Sequence, residues 1–335
     1  MTIKLITLST LLLFGWALVR TGNLGQLGDR WKRPEPKASL RQVKVLSTTP
    51  DYRLVKHLMG NTKVPLAPQR IASLCGAATD SLVALGVRPI LVQGGSRIDG
   101  AQLYLADSLK GVAVMPPDSV ISLEAVLAAK PDLIFASNMQ NGKLYGQLSK
   151  IAPTVFIGST GDGYRENRIL DVGEVLGMQE KAERRLAEYR RRLERAKERL
   201  SSQAKNEPVA FLRFRKNTSV IYTRTAMFGP LLFEQLGLTP DPAMPEVMMG
   251  GGWDVLSIER LSDLRAEHIF MTIDPDSELY LQGVAKTPIW RNIPAARHDH
   301  VHRIASSTWL SGDGVLGCEA ILDDILAAMA PERSP

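Results

Sequence analysis

Arg213 and Arg215 alternate with Leu212 and Phe214, so on an extended strand both guanidiniums lie on one side. Near a strand's carboxyl end such a pair can grip anionic oxygens with bidentate geometry; the alternative is a solvated strand face. Arg224, after residues 219–223, and Arg97, after residues 92–96, are candidates of the same kind. His298, His300 and His302 also alternate, and three imidazoles on one strand face can hold zinc or copper. Against that reading, such sites usually add a carboxylate or cysteine from elsewhere in the chain. Glu124 and Glu259 resemble a pair of glycosidase carboxylates. Each, however, opens a helix, where an acid is favoured by the helix dipole, and that argues for two surface points. G-x-S-x-G, P-loop, H-E-x-x-H and C-x-x-C patterns are absent, so the chain is not expected to be an enzyme.

These residues are positioned by two similar halves around one long helix. Residues 179–200 contain neither Gly nor Pro, and their apolar positions are Ala182, Leu186, Tyr189, Leu193, Ala196 and Leu200. That spacing makes one narrow stripe along a helix roughly 33 Å long, which predicts a surface strut joining two lobes, not a core helix. Glu180 precedes Arg184, and Glu188 precedes Arg192, by one helical turn, the favourable order for ion pairs. Before the strut, residues 70–158 alternate strand and helix, with Thr79 or Asp80 as a helix cap, which predicts a parallel α/β lobe. After it the alternation restarts, with strands at 208–214, 219–223, 268–272 and 302–305 and helices at 230–236, 256–264 and 314–330. SLEAVLAAKPDLIF, from Ser122, and SIERLSDLRAEHIF, from Ser257, match without a gap. The fold class is therefore two α/β lobes bridged by a single long backbone helix, with ligands expected at the strands' carboxyl ends and between the lobes. The expected divisions are a signal peptide or anchor at 1–22, a tether at 23–45, lobes at 46–177 and 206–335, and the backbone helix at 178–205.

Bulk properties narrow the function further. The chain has 335 residues and a formal net charge of +6, and much of the basic excess lies in the strut and in residues 20–41. No zinc finger, helix-turn-helix or aromatic-basic interleave supports nucleic acid as a partner. Lys4, the apolar run at 5–19 and Arg20 read as an export signal, cleaved or kept as an anchor, which places the protein in the periplasm or at the cell surface. Export permits a disulfide, but Cys75 and Cys318 are expected in different lobes as unpaired core residues.

The stretches RIASLCGAATDSLVALGV, SLEAVLAAKPDLIFAS, QLSKIAPTVFIG, VLGMQEKAERRLAEYRRRLERA, GPLLFEQLGL, TPIWRNIPAARHDHVHRI and SSTWLSGDGVLGCEAILDDIL are distinctive in their order and spacing. In these, the chain resembles the periplasmic binding proteins that feed iron–siderophore ABC importers, most closely the ferric-dicitrate and ferric-hydroxamate branch. The resemblance implies a monomeric carrier that catalyses nothing, holds no permanent cofactor and delivers a ferric chelate to permease subunits. It implies that Glu124 and Glu259 dock on the permease, one acid per lobe, and that Trp253 and Trp309 are aromatic cleft residues. Ser137 and Asn138 are then polar residues at the cleft edge. Where hydroxamate binders carry an arginine before the first-lobe acid, this chain has Met115, which favours a citrate-type complex. Within the same fold, a haem or corrinoid ligand and direct zinc or copper binding through His298, His300 and His302 are the alternatives.

Overall fold

The computed structural model describes residues 43–94, 103–116, 121–137, 141–158, 165–204, 206–245, 252–312 and 314–331. The export segment at 1–22, Arg97 and Asn138 lie outside them.

The described chain begins with an antiparallel ribbon, β1 (Lys44–Thr48), β2 (Tyr52–His57) and β3 (Gly60–Pro65). Val43, Val55 and Val64 bury themselves in the main core, so the folded body starts ahead of residue 46. The ribbon then runs into a parallel sheet of order β6-β5-β4-β7-β8. Its strands are β4 (Ile71–Ser73), β5 (Leu91–Gln93), β6 (Ala113–Met115), β7 (Leu133–Ser137) and β8 (Thr154–Ile157). His57 joins ribbon to sheet. Its Nδ1 accepts from the Phe156 N–H (3.2 Å), its Nε2 bonds Thr62 Oγ1 (2.9 Å), and Thr62 in turn donates to Thr154 O (3.0 Å). This satisfies a backbone donor on an edge strand that would otherwise stay unpaired. Burial lowers the His57 pKa to about 4 and keeps the ring neutral for that task.

The helices of this lobe are α1 (Gly76–Ala84), α2 (Leu123–Ala129), α3 (Tyr145–Ile151) and α4 (Arg168–Leu176). Ser122 caps α2 by accepting from the Ala125 N–H, and left-handed Lys130 ends it just before Pro131. The strut is α5 (Gln179–Gln203), and its buried residues are the six predicted stripe positions. A Cβ on Gly173 would sit 2.6 Å from the Ala182 Cβ, so a glycine is what lets α4 approach α5. Glu180 pairs with Arg184 as expected (3.4 Å), but Arg192 turns away from Glu188 to Asp323.

The second lobe departs from a purely parallel pattern. Its strands are β9 (Pro208–Arg215), β10 (Thr218–Tyr222), β11 (Thr239–Pro240), β12 (Trp253–Leu256), β13 (His268–Ile273) and β14 (Val301–Arg303), in the order β12-β10-β9-β13-β14, with β11 on the start of β9. β9, β13 and β14 are parallel, whereas β10 is antiparallel to both β9 and β12. Lys216 and Asn217 both have positive φ, so a two-residue turn folds β9 back on β10 as a hairpin. The helix expected at 256–264 is instead the end of β12 followed by a 3-10 turn at Glu259–Asp263.

The longer helices of this lobe are α6 (Glu278–Ala285) and α7 (Val315–Met329). Asp80 does not cap its own helix α1, which begins at Gly76 behind Cys75. Its buried carboxylate accepts from the N–H groups of Leu316 (3.1 Å) and Gly317 (2.8 Å), capping α7 across the molecule. The last helix thus returns to the first lobe and packs on α1 and α5. One apolar cluster accordingly takes in residues of both lobes and the α5 stripe, and smaller clusters fill the opposite sheet faces. Cys75 and Cys318 are both buried, and neither forms a disulfide.

Candidate functional site

Strand alternation sorts the second-lobe residues. Val209, Phe211, Arg213 and Arg215 share one face of β9, and Ala210, Leu212 and Phe214 share the other. Register places Val220 and Thr272 beside Arg213, and sets Tyr222 opposite Trp253. The face carrying the arginines has an aromatic floor. Phe211 stacks on Tyr222 (4.6 Å), and Trp309 lies 5.0 Å from Phe270 and 5.5 Å from Phe211. The arginines stand beyond this floor, at the carboxyl end of β9.

Arg213 and Arg215 share that face but differ in their engagements. Arg213 donates through Nε (2.7 Å) and Nη2 (2.8 Å) to the Asp274 carboxylate. Burial works against its charge, yet hydrogen bonds to Asp274 and Tyr222 outweigh it and hold the guanidinium above its ordinary pKa. Both arginines were expected to bind anionic oxygens; the fork of Arg213 is occupied by Asp274, which sets it apart from Arg215. Arg215 is half-buried, with its guanidinium 5.5 Å from the centre of the Trp253 ring, a cation–π contact.

Trp253 is half-buried at the start of β12, so part of its ring faces outward. Trp309 is 0% exposed and donates its indole N–H to Asp324 (2.8 Å). The structure puts Trp309 in the core, where its ring offers no open face; a tryptophan's N–H must find a partner when buried, and Asp324 supplies it. Arg224 is half-buried just past β10. Ser137 is buried at the end of β7, with its N–H donating to Asn141 Oδ1 (3.0 Å). Met115 is likewise buried at the end of β6.

Two further residues belong to this rim and were missed from sequence. Among the described residues, Gln93 Oε1 and Thr272 Oγ1 are buried side-chain polar atoms with no hydrogen-bond partner. Gln93 ends β5 and Thr272 is the penultimate residue of β13, so each lobe presents an unsatisfied polar atom near the carboxyl ends of its strands. A buried polar atom without a partner is costly, and a ligand atom can relieve it. Asp274 too carried no local signal, since it reaches Arg213 only through the β9–β13 pairing.

The two predicted docking acids are both exposed. Glu124 lies in the first turn of α2, and Glu259 opens the 3-10 turn. Hydrogen bonds from its own N–H and from Ser257 hold the Glu259 carboxyl below its usual range. Each acid follows a strand that leaves its sheet at the carboxyl end, β6 in one lobe and β12 in the other. An open groove of about 710 Å³ between α5 and α7 is lined by Arg192, Arg195, Arg199 and Asp323, and by none of the predicted ligand residues.

The three alternating histidines do not share one strand face. Among them only His302 lies in β14; His298 and His300 occupy the turn before it. They sit at the amino-terminal end of β13 and β14. His268, beside them, precedes Thr272 by four residues, or about 13 Å of strand. The three-histidine set of the zinc or copper alternative is thereby corrected: the three imidazoles do not line one strand, and they sit at the end of the sheet opposite the arginines.

Comparison with known proteins decides the family: the periplasmic binding protein family matches residues 71–308. The chain belongs to that family. It is a substrate-binding protein and not an enzyme. It is 29% identical over 283 residues to the probable siderophore-binding lipoprotein YfiY of Bacillus subtilis, covering 82% of this chain and 86% of the relative. It is 27% identical over 271 residues to the Fe(3+) dicitrate-binding periplasmic protein FecB of Escherichia coli, covering 79% and 86%. Among solved structures, SirA of Staphylococcus aureus complexed with staphyloferrin B superposes with a TM-score of 0.69 at 26% identity, covering 84% of this chain and 98% of SirA. This binding protein therefore has the two α/β lobes and long connecting helix of its relatives.

Proposed function

We propose that this binding protein captures a ferric siderophore of the citrate class at the carboxyl-end rim of its two sheets and delivers it to the permease of an ABC importer. The iron is cargo inside its chelator, so the protein meets the chelator's outer oxygens and apolar arms. One observation carries the choice of an anionic chelate: the Arg215 guanidinium, seated against the Trp253 ring at the carboxyl end of β9. A planar cation on an aromatic face suits a carboxylate-rich complex that also presents apolar surface. The name of YfiY supports a siderophore and that of FecB a ferric dicitrate complex, and their lipoprotein and periplasmic descriptions support action outside the cytoplasmic membrane. Glu124 and Glu259 are the docking points in this reading, one per lobe, which suits a two-point contact with basic pockets.

The test is tryptophan fluorescence of the full-length protein, titrated with ferric citrate, a ferric hydroxamate and haem. An inert protein corrects for light absorbed by the chelates. Saturable quenching by ferric citrate, absent with iron-free citrate and weakened in Trp253→Phe, is the expected result. Saturation by the hydroxamate or haem alone would replace the citrate class. Silence with every ferric chelate would overturn the siderophore reading.

A further inference from the structure

The chain contains five histidines, and four of them, His268, His298, His300 and His302, meet at the amino-terminal end of β13 and β14. The fold brings them there by two devices. Parallel pairing sets Phe270 beside His302, so His268 and His302 fall on the same face of neighbouring strands. Asp299 takes a left-handed conformation (φ 61°), and this turn brings the His298 and His300 rings to 6.0 Å from each other. Glu267, the residue just before β13, then completes the group. Its Oε2 lies 3.0 Å from His298 Nδ1, and its backbone oxygen lies 3.2 Å from His300 Nδ1.

We propose that Glu267, His298 and His300 form a divalent-metal site for a zinc-class ion, separate from the ligand rim and at the opposite end of the same sheet. One donor atom from each of the three lies within 4.8 Å of the others. A tetrahedral ion with bonds of ~2.1 Å spaces its ligands about 3.4 Å apart, so donors within 4.8 Å of one another need close by at most about 1.4 Å. His298 is exposed and Glu267 and His300 are half-buried, which leaves the ion a path from solvent and an open coordination position. Two imidazoles and one carboxylate select borderline ions such as zinc, copper or nickel over magnesium or calcium, which take oxygen ligands.

The surroundings fix the ligands as a metal site requires. His300 Nδ1–H donates to the Glu267 carbonyl, which leaves Nε2 with its lone pair. The His268 ring lies parallel to the His300 ring at 4.4 Å (2°) and sets its plane. His268 is itself anchored by Glu207 (2.9 Å) and by His302 (3.1 Å). His302 is therefore a buttress and not a ligand, and the carboxylate that three alternating histidines lack comes from Glu267, just ahead of the neighbouring strand. A bound ion would tie the 298–300 turn to β13 and secure β14 at the edge of the sheet.

The test is isothermal titration of the untagged, chelator-stripped full-length protein with zinc chloride. The expected result is one equivalent of zinc, with affinity falling at least tenfold in His300→Ala, in His298→Ala and in Glu267→Gln. His302→Gln should retain binding within about threefold, and ferric-chelate quenching should be unchanged in all four variants. His298 is exposed, so its variant keeps the test valid if Glu267→Gln folds poorly. Absence of saturable zinc binding, or binding that survives both His298→Ala and His300→Ala, would overturn the site. Loss on His302→Gln alone would do the same.

Discussion

Glu166 offers the sharpest test of how the lobes are joined. Its side chain is 3% exposed, and Oε1 accepts from Gln235 Nε2 at 3.0 Å. Gln235 belongs to the helical turn Pro230–Gln235 of the second lobe, and Tyr189 on α5 donates to its oxygen (3.4 Å). The three side chains therefore link first lobe, second lobe and strut. Burial raises the Glu166 pKa from 4.5 to about 6, against the opposing pull of its own N–H, Gln235, Arg190 and Arg168. A raised folded-state pKa means that the native state holds the proton more tightly than the unfolded chain. The contribution to stability is fully present below about pH 4.5 and is lost as pH rises through about 6. Ionising the group in place costs about 2 kcal/mol. Glu166→Gln keeps an acceptor for Gln235 and removes the charge. At pH 7.5 it should therefore stabilise the protein by up to about 2 kcal/mol, and at pH 4.5 by nearly nothing. With a urea slope of about 3 kcal/mol/M, the midpoint moves by roughly 0.7 M at the higher pH. The assay is urea unfolding of wild type and variant at both pH values; comparing the two proteins cancels other titrating groups such as His57. A variant less stable than wild type at pH 7.5, or shifted equally at both pH values, would refute the reasoning.

Three more outcomes follow from named contacts. Arg215→Ala should weaken ferric citrate binding by about tenfold or more, the loss of one charge-assisted contact, while Arg213→Ala should chiefly lower the unfolding temperature because it strands Asp274; fluorescence titration and thermal melts separate the two, and unchanged affinity in Arg215→Ala would remove its role. Glu124→Ala combined with Glu259→Ala should leave ligand affinity intact and abolish uptake by cells, and normal uptake would end the docking proposal. Gly314→Ala should destabilise by roughly 2–4 kcal/mol, since Gly314 has φ 133° and an added Cβ would lie 2.3 Å from Asp80 Oδ1, the cap of α7; an unfolding temperature within about 1 °C of wild type would contradict this.

Sequence alone determined whatever depends on local periodicity. The α5 stripe is legible because a helix has a fixed repeat, and six apolar residues on one side leave a single way to bury them. The start of α2 is legible for a similar reason: a serine cap, an acid in the first turn and a lysine before proline are local signals. The first-lobe strands follow from short apolar runs between turns. Only the tertiary structure decided what depends on partners distant in the chain. Asp274 is 61 residues from Arg213 and Asp80 is 236 from Leu316, and neither pairing leaves a trace in local spacing. The same holds for Trp309, whose burial depends on Phe211, Phe270 and Asp324 converging from three elements. The histidines show both limits at once. Their alternation in sequence suggested a shared face, but a left-handed residue at 299 and the parallel register of β13 and β14 chose Glu267, His298 and His300 as neighbours and set His302 behind them. Backbone conformation and strand register, not spacing, fix which donor atoms meet.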